Sequence, residues 1–142
     1  DDIERWIGPK ISRILSATAF PESIDDIELD LDARLSKGEG DSEVVVRGTI
    51  ASSKIVFDRK DTFHTGRLEV ALFAVDRRNR LVGERWLTLD LSLDENEHQA
   101  VLRDGIPLDA RFAVRSDAMR VKVVIYDFAA DAVGSVTLPV RR

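Results

Sequence analysis

The sequence predicts an all-β domain, an antiparallel sandwich of about seven to eight strands with one short inserted helix and an N-terminal helical segment. Most segments after residue 26 alternate apolar and polar residues, which is the pattern of strands with one buried face. Only one segment between the predicted strands carries helix start and stop signals, whereas a parallel sheet needs a helix after most strands. We place the sandwich domain at residues 22–142 and a helical linker, or tail of an upstream domain, at residues 1–21.

The first third of the chain changes from helical to strand patterning. Residues 1–17 repeat isoleucines at the helical period, with a break at Gly8-Pro9, and Phe20-Pro21 then forms a linker. From Asp26 the period is two, and residues 44–50 form a second, β-branched strand. A turn over residues 37–41 predicts that these two strands are neighbours.

The middle and end of the chain supply the remaining elements. Residues 51–65 give no clear pattern, but 68–75 and 81–93 read as strands joined by a charged turn at 76–80. Asp94 and Glu97 form a capping-box signal for a helix whose apolar side is Val101 and Leu102, and Gly105 ends it. Three strands follow at 106–114, 119–126 and 133–140, and in the second of them Met119 and the alternate residues after it share one face.

Composition excludes several classes of function. The chain has no cysteine, which removes disulfides, thiolate zinc sites and cysteine nucleophiles. The net charge of −5 is concentrated in residues 1–42, and no basic stripe of the nucleic-acid-binding kind is present. The longest apolar run, Val70 to Val75, is far too short to insert into a membrane.

Two charged segments are candidate binding sites. An acidic run alternates along the first predicted strand, where neighbouring carboxylates about 6.6 Å apart could share a Ca²⁺ ion; its members are Asp26, Glu28, Asp30 and Asp32. The four span too far for one site, so a solvated strand face is the simpler interpretation. The turn containing Arg77, Arg78 and Arg80 could bind a phosphate or an acidic partner, although charged turns commonly serve solubility alone.

The two histidines, His64 and His98, are the side chains that titrate near neutral pH. They lie 34 residues apart in the sequence, and either would need a carboxylate beside it in space to act as a general base. We therefore assign no catalytic residue, cofactor or metal ligand here. A hydrolase with an unusual site stays as a further functional class, behind a protein-interaction module and a ligand-binding sandwich.

The sequence also resembles a known family. The runs Gly66 to Asp76, Leu102 to Ile106, Arg120 to Asp127 and Val133 to Val140 resemble segments of bacterial proteins that carry a von Willebrand factor A domain. The similar region lies C-terminal to that domain and is an immunoglobulin-like sandwich, and the likeness covers residues 27–140. No functional residue carries over, because Asp90-Leu91-Ser92-Leu93-Asp94 departs from the metal-binding D-x-S-x-S signature.

The resemblance implies a non-catalytic accessory or protein-interaction module of a larger protein. The alternative is a sandwich that binds calcium or a carbohydrate. We expect the partner to be a protein, with no nucleic acid, cofactor or membrane insertion, and a longer parent protein could be exported or lie in the cell envelope. The sequence does not determine the oligomeric state.

Overall fold

The computed structural model describes residues 24–37, 42–115 and 117–142, and these residues form an all-β fold with one helix. Among them, no helix is long and apolar enough to cross a membrane. The helical prediction for residues 1–17 and the tip of the 37–41 turn lie outside the described residues. The elements are β1 (Ile24–Asp25), β2 (Leu29–Lys37), β3 (Ser42–Ile50), β4 (Asp58–Lys60), β5 (Phe63–Val75), β6 (Leu81–Leu93), α1 (Glu95–Asp104), β7 (Ile106–Ala113), β8 (Arg120–Asp127) and β9 (Ala132–Arg141).

Backbone hydrogen bonds link the nine described strands into one sheet, with the order β4-β5-β8-β9-β2-β3-β7, β6 beside β5 and β1 beside β9. The predicted neighbours β2 and β3 pair over their full length, as do β5 and β6 on either side of the 76–80 turn. The prediction of a wholly antiparallel sheet is wrong, because β2 and β9 run parallel where Ala33 meets Val140. This pairing brings together strands from the two ends of the described chain. The alternation of apolar and polar residues within a strand does not indicate which distant strand will pair with it, or in which direction.

The core lies on one face of this curled sheet. Alternate residues of β5 and β8 form one hydrophobic cluster with alternate residues of β3 and β7, and the side chains of Leu68, Leu72, Val123 and Ile125 are fully buried. Burial of each such side chain contributes roughly 1.5–3 kcal/mol. Met119, expected on the same buried face, lies before β8 and is 37% exposed.

The opposite face of β5 and β8 is also buried. Ala71, Phe73, Val124, Tyr126 and Val133 form a second apolar cluster there. Trp86 and Phe128 pack against it, each making an edge-to-face aromatic contact. The sequence predicts that Arg120 and Lys122 of β8 face water. Arg120 is exposed, but that prediction is wrong for the rest of this face of β8, which is largely buried, and Lys122 is itself half-buried.

β6 follows its predicted alternation over residues 87–93, with its apolar side chains less deeply buried than those of β5. Leu87, Leu89 and Leu91 pack against the core, but all three are only partly buried, because among the described strands β6 pairs with β5 alone. Near its start β6 meets the end of β7, where the backbone N–H of Arg115 donates to the carbonyl of Val82 at 2.8 Å. The two outer strands of the sheet therefore approach each other at this end.

The inserted helix has the predicted capping box. Asp94 accepts from the backbone of Glu97, and the Glu97 side chain accepts from the backbone N–H of Asp94. Gly105 ends the helix at φ +86°, a conformation that favours glycine. Val101 packs against the core as expected, whereas Leu102 is 47% exposed.

Candidate functional site

The acidic run does not converge on one point. Asp26 and Glu28 precede β2, and only Asp30 and Asp32 lie on that strand. Asp32 is ion-paired with Nε of Arg34 at 3.0 Å and with Nε of Arg141 at 3.1 Å. With two guanidinium groups at its oxygens, Asp32 is a poor ligand for a cation, so the geometry favours the interpretation of this run as a charged surface.

The arginine turn is built around hydrogen bonds to Asp76. One carboxylate oxygen of Asp76 accepts from the backbone N–H groups of Arg78 and Arg80, and the other accepts from Nε of Arg80 at 2.9 Å. The hydrogen bond from the Arg80 backbone is the largest of several that stabilise the ionised carboxylate. Together they hold the pKa of Asp76 below its usual value. Asn79 completes the turn at φ +60° and accepts from the guanidinium of Arg120.

The turn forms one wall of a groove of about 420 Å³ at this end of the sheet. The groove contains the exposed side chain of Met119 and four arginines, against the two carboxylates of Asp76 and Asp117. Asp76 pairs with Arg80, and Asp117 lies 3.5 Å from a guanidinium nitrogen of Arg142. Arg77 and Arg78 have no ion-pair partner among the described residues. We call this surface, made of Arg77, Arg78, Arg80, Met119, Arg120 and Arg142, the arginine end.

Both histidines lie at the opposite end of β5, and the fold brings them together. His64 pairs with Leu93 at the end of β6, so it lies beside the first turn of α1, which carries His98. The two rings stack with centroids 3.7 Å apart and planes 11° apart. Phe57 meets the ring of His98 edge-on at 5.1 Å.

Glu95 supplies the carboxylate that the sequence did not place beside a histidine. Its Oε2 lies 3.0 Å from Nε2 of His64, and its Oε1 accepts from the amide of Gln99 at 3.0 Å. Both hydrogen bonds lower the pKa of Glu95, and the one from Gln99 has the larger effect. The carboxylate is therefore ionised near neutral pH. We call His64, Glu95 and His98 the histidine cluster.

One atom of the histidine cluster lacks a partner. Nδ1 of His98 is buried and has no hydrogen bond among the described residues. A buried polar atom left unsatisfied costs about 1–3 kcal/mol, so such an atom calls for a physical explanation. One ligand atom from each member of the cluster lies within 4.8 Å of the others.

Sequence reasoning missed this cluster for an identifiable reason. It treated the histidines as distant and left residues 51–65 unassigned, although the register of the β5–β6 hairpin extends as far as His64. Glu95 and His98, three positions apart on a helix, share a face. Continuing the hairpin pairing backward from the 76–80 turn would have placed His64 near the end of β6 and the start of the helix, although the register shift between Ala74 and Val75 changes its partner by one residue.

Neither the protein-family models nor the curated proteins give a match to this chain. The likeness of residues 27–140 to the sandwich that follows a von Willebrand factor A domain therefore remains a hypothesis.

Proposed function

We propose that this domain is a non-catalytic protein-interaction module of a larger protein and that it docks an acidic protein surface on its arginine end. The observation that carries the proposal is the turn fixed by Asp76, which holds the exposed Arg77 and Arg78 without carboxylate partners among the described residues. Beside them, Met119 contributes exposed apolar surface to the same groove.

Three physical arguments support this surface as a docking site. Arginine and methionine are enriched in protein interfaces, where a guanidinium can bind a carboxylate through two hydrogen bonds. The hydrogen bonds to Asp76 fix the backbone of the turn before a partner binds, which reduces the conformational entropy lost on binding. The groove is lined by four arginines and two aspartates while the whole chain carries a net charge of −5, so the positive charge is local and would steer acidic partners to this end.

The finer fold assignment is part of the same proposal. We take the curled sheet as an immunoglobulin-like sandwich, in which β2, β3 and β7 pack over β5, β8 and β9. The single core cluster shared by these strands supports this arrangement, as does the approach of β6 to β7. The resemblance to the region after a von Willebrand factor A domain suggests that the larger protein is of that adhesive or interaction type.

An NMR titration with a short peptide of glutamate and glycine tests the docking surface. Shift changes should be confined to residues 76–80, 117–120 and 142, and binding should weaken with added salt. Arg77→Glu with Arg78→Glu should weaken binding by about tenfold or more, which corresponds to about 1.4 kcal/mol. The matched control reverses two exposed charges on β4, Arg59→Glu with Lys60→Glu, at the other end of β5, and should bind like the wild type.

Two further probes decide the class of partner. A photo-crosslinker at position 77 of the longer parent protein should capture a protein, and one at position 59 should not. If a DNA duplex of equal charge bound the arginine end more tightly than the acidic peptide, a protein partner would be contradicted. Saturable calcium or glycan binding elsewhere, without any effect of the Arg77 and Arg78 reversals, would favour the ligand-binding alternative.

A further inference from the structure

The histidine cluster joins two elements that are distant in sequence. His64 lies near the start of β5, and Glu95 and His98 lie on the first turn of α1. The capping box at Asp94 and Glu97 fixes where the helix begins, and it leaves Glu95 and His98 free to face β5. The strand pairing and the helix cap together therefore hold the three side chains at one place.

The ligand types in the cluster suit one class of metal ion. Imidazole nitrogen favours zinc and neighbouring transition metals, whereas Ca²⁺ and Mg²⁺ require oxygen ligands. Two histidines and one carboxylate are a known zinc ligand set, with a fourth position left for water. Because the side chain of Glu95 is 64% exposed, that fourth position can face solvent.

The spacing of the ligand atoms approaches what an ion requires. Ligand atoms about 2.0–2.2 Å from zinc lie roughly 3.3 Å from one another in a tetrahedral site. Oε2 of Glu95 and Nε2 of His64 are already 3.0 Å apart, and all three ligand atoms lie within 4.8 Å. To close the set around one ion, the exposed Glu95 side chain has to rotate and one imidazole has to turn out of the stack, because two parallel rings direct their nitrogen lone pairs along parallel planes.

Two surrounding contacts resemble those that orient ligands in metal sites. The amide of Gln99 holds one oxygen of Glu95 and leaves the other directed at His64. Such second contacts fix the orientation of a ligating group. The buried Nδ1 of His98 has no hydrogen-bond partner among the described residues, and this observation is independent of the spacing of the cluster. A metal ion bound at the cluster, or a water molecule hydrogen-bonded to this nitrogen, would account for it.

We propose that His64, Glu95 and His98 bind a single divalent transition-metal ion of the zinc class, which fastens the start of α1 to β5. The proposal is independent of the arginine end, which lies at the other end of β5. The chain has two histidines and no cysteine, so in tag-free protein a histidine-ligated metal must be held by His64, His98 or both.

Titration calorimetry with zinc on tag-free protein tests the site. We expect one ion per chain with micromolar or tighter affinity, unaffected by millimolar Ca²⁺ or Mg²⁺. His64→Ala, His98→Ala and Glu95→Gln should each weaken binding by about tenfold or more, as loss of a ligand does at other sites. Glu84→Gln, which removes an exposed carboxylate from β6, is the matched control and should bind like the wild type.

A measurement on the wild-type protein keeps the proposal testable if a histidine variant fails to fold. Co²⁺ should give visible absorption bands of four- or five-coordinate geometry, and Cu²⁺ should broaden NMR signals around residues 64, 95 and 98. Zinc binding that survives in His98→Ala, or broadening centred on the Asp30 to Asp32 surface, would show an adventitious site. The absence of stoichiometric zinc binding to the wild type would overturn the proposal.

Discussion

Leu68 on β5 and Leu89 on β6 are partners across the same strand pair, yet they differ in burial. Leu68 is fully buried, whereas Leu89 is only partly buried because no described strand pairs with β6 on the side away from β5. Replacing each leucine by alanine therefore makes the same chemical change at a fully buried position, Leu68, and at a partly exposed one, Leu89.

The magnitudes follow from the surface and the cavity involved. Each substitution removes three carbons, worth about 0.8 kcal/mol apiece when fully buried. At Leu68 the cavity is enclosed, and the total cost should be about 3–4 kcal/mol. At Leu89 the transfer term is smaller and solvent enters the space, so we expect about 1.5–2 kcal/mol.

Urea denaturation with equal m-values measures both costs. Thr88→Ala is the control, since its side chain is exposed and donates to Glu69 at 2.6 Å, and it should cost less than about 1 kcal/mol. A loss at Leu89 equal to that at Leu68 would mean that β6 is covered. If Thr88→Ala proved costlier than Leu89→Ala, the register of β6 would be inverted.

Three further outcomes are expected. Asp94→Ala should lower stability by about 1 kcal/mol in thermal or urea unfolding, because it removes the side-chain half of the capping box, and an unchanged stability would contradict the assigned helix start. Gly83→Ala should cost about 1–3 kcal/mol, since its Cβ would lie 2.6 Å from the carbonyl oxygen of Ala113 where β6 meets β7. The lowered pKa of Asp76 means that its stabilising contribution is present above its unfolded pKa near 3.8 and is lost as the pH falls through the lower folded value. At pH 7 the Asp76→Asn variant should therefore be less stable than the wild type. Between about pH 4 and pH 2 it should lose less stability than the wild type does. Urea titrations across this pH range measure both differences, and equal acid sensitivity of the two proteins would refute the reasoning.

Local features of the fold were predictable from the sequence. The capping box at Asp94, the 76–80 turn and the alternation of β6 each depend on residues close together in the chain. The continuous apolar run from Val70 to Val75 even contained a signal for burial on both faces of β5, because a strand with one wet face alternates instead.

Long-range features were not predictable in this way. The parallel contact of β2 with β9 and the stacking of His64 on His98 depend on which distant segments meet in the fold. Neither segment of such a pair has a sequence pattern that identifies its partner. The candidate sites divide accordingly: the arginine turn was visible in the sequence as a local motif, and the histidine cluster was not.

The position of β9 in the sheet has a consequence for biosynthesis. The strand formed by Ala132–Arg141 lies in the middle of the sheet order, between β8 and the β2 strand formed by Leu29–Lys37. A ribosome adding about 5–20 residues per second delivers β9 some 5–20 s after β2. During that interval β2 and β3 can pair, but the edge that β9 will occupy is bare, and the core beneath it is open. The nascent chain therefore has to be protected from pairing with other chains until nearly all of the described sequence has been made.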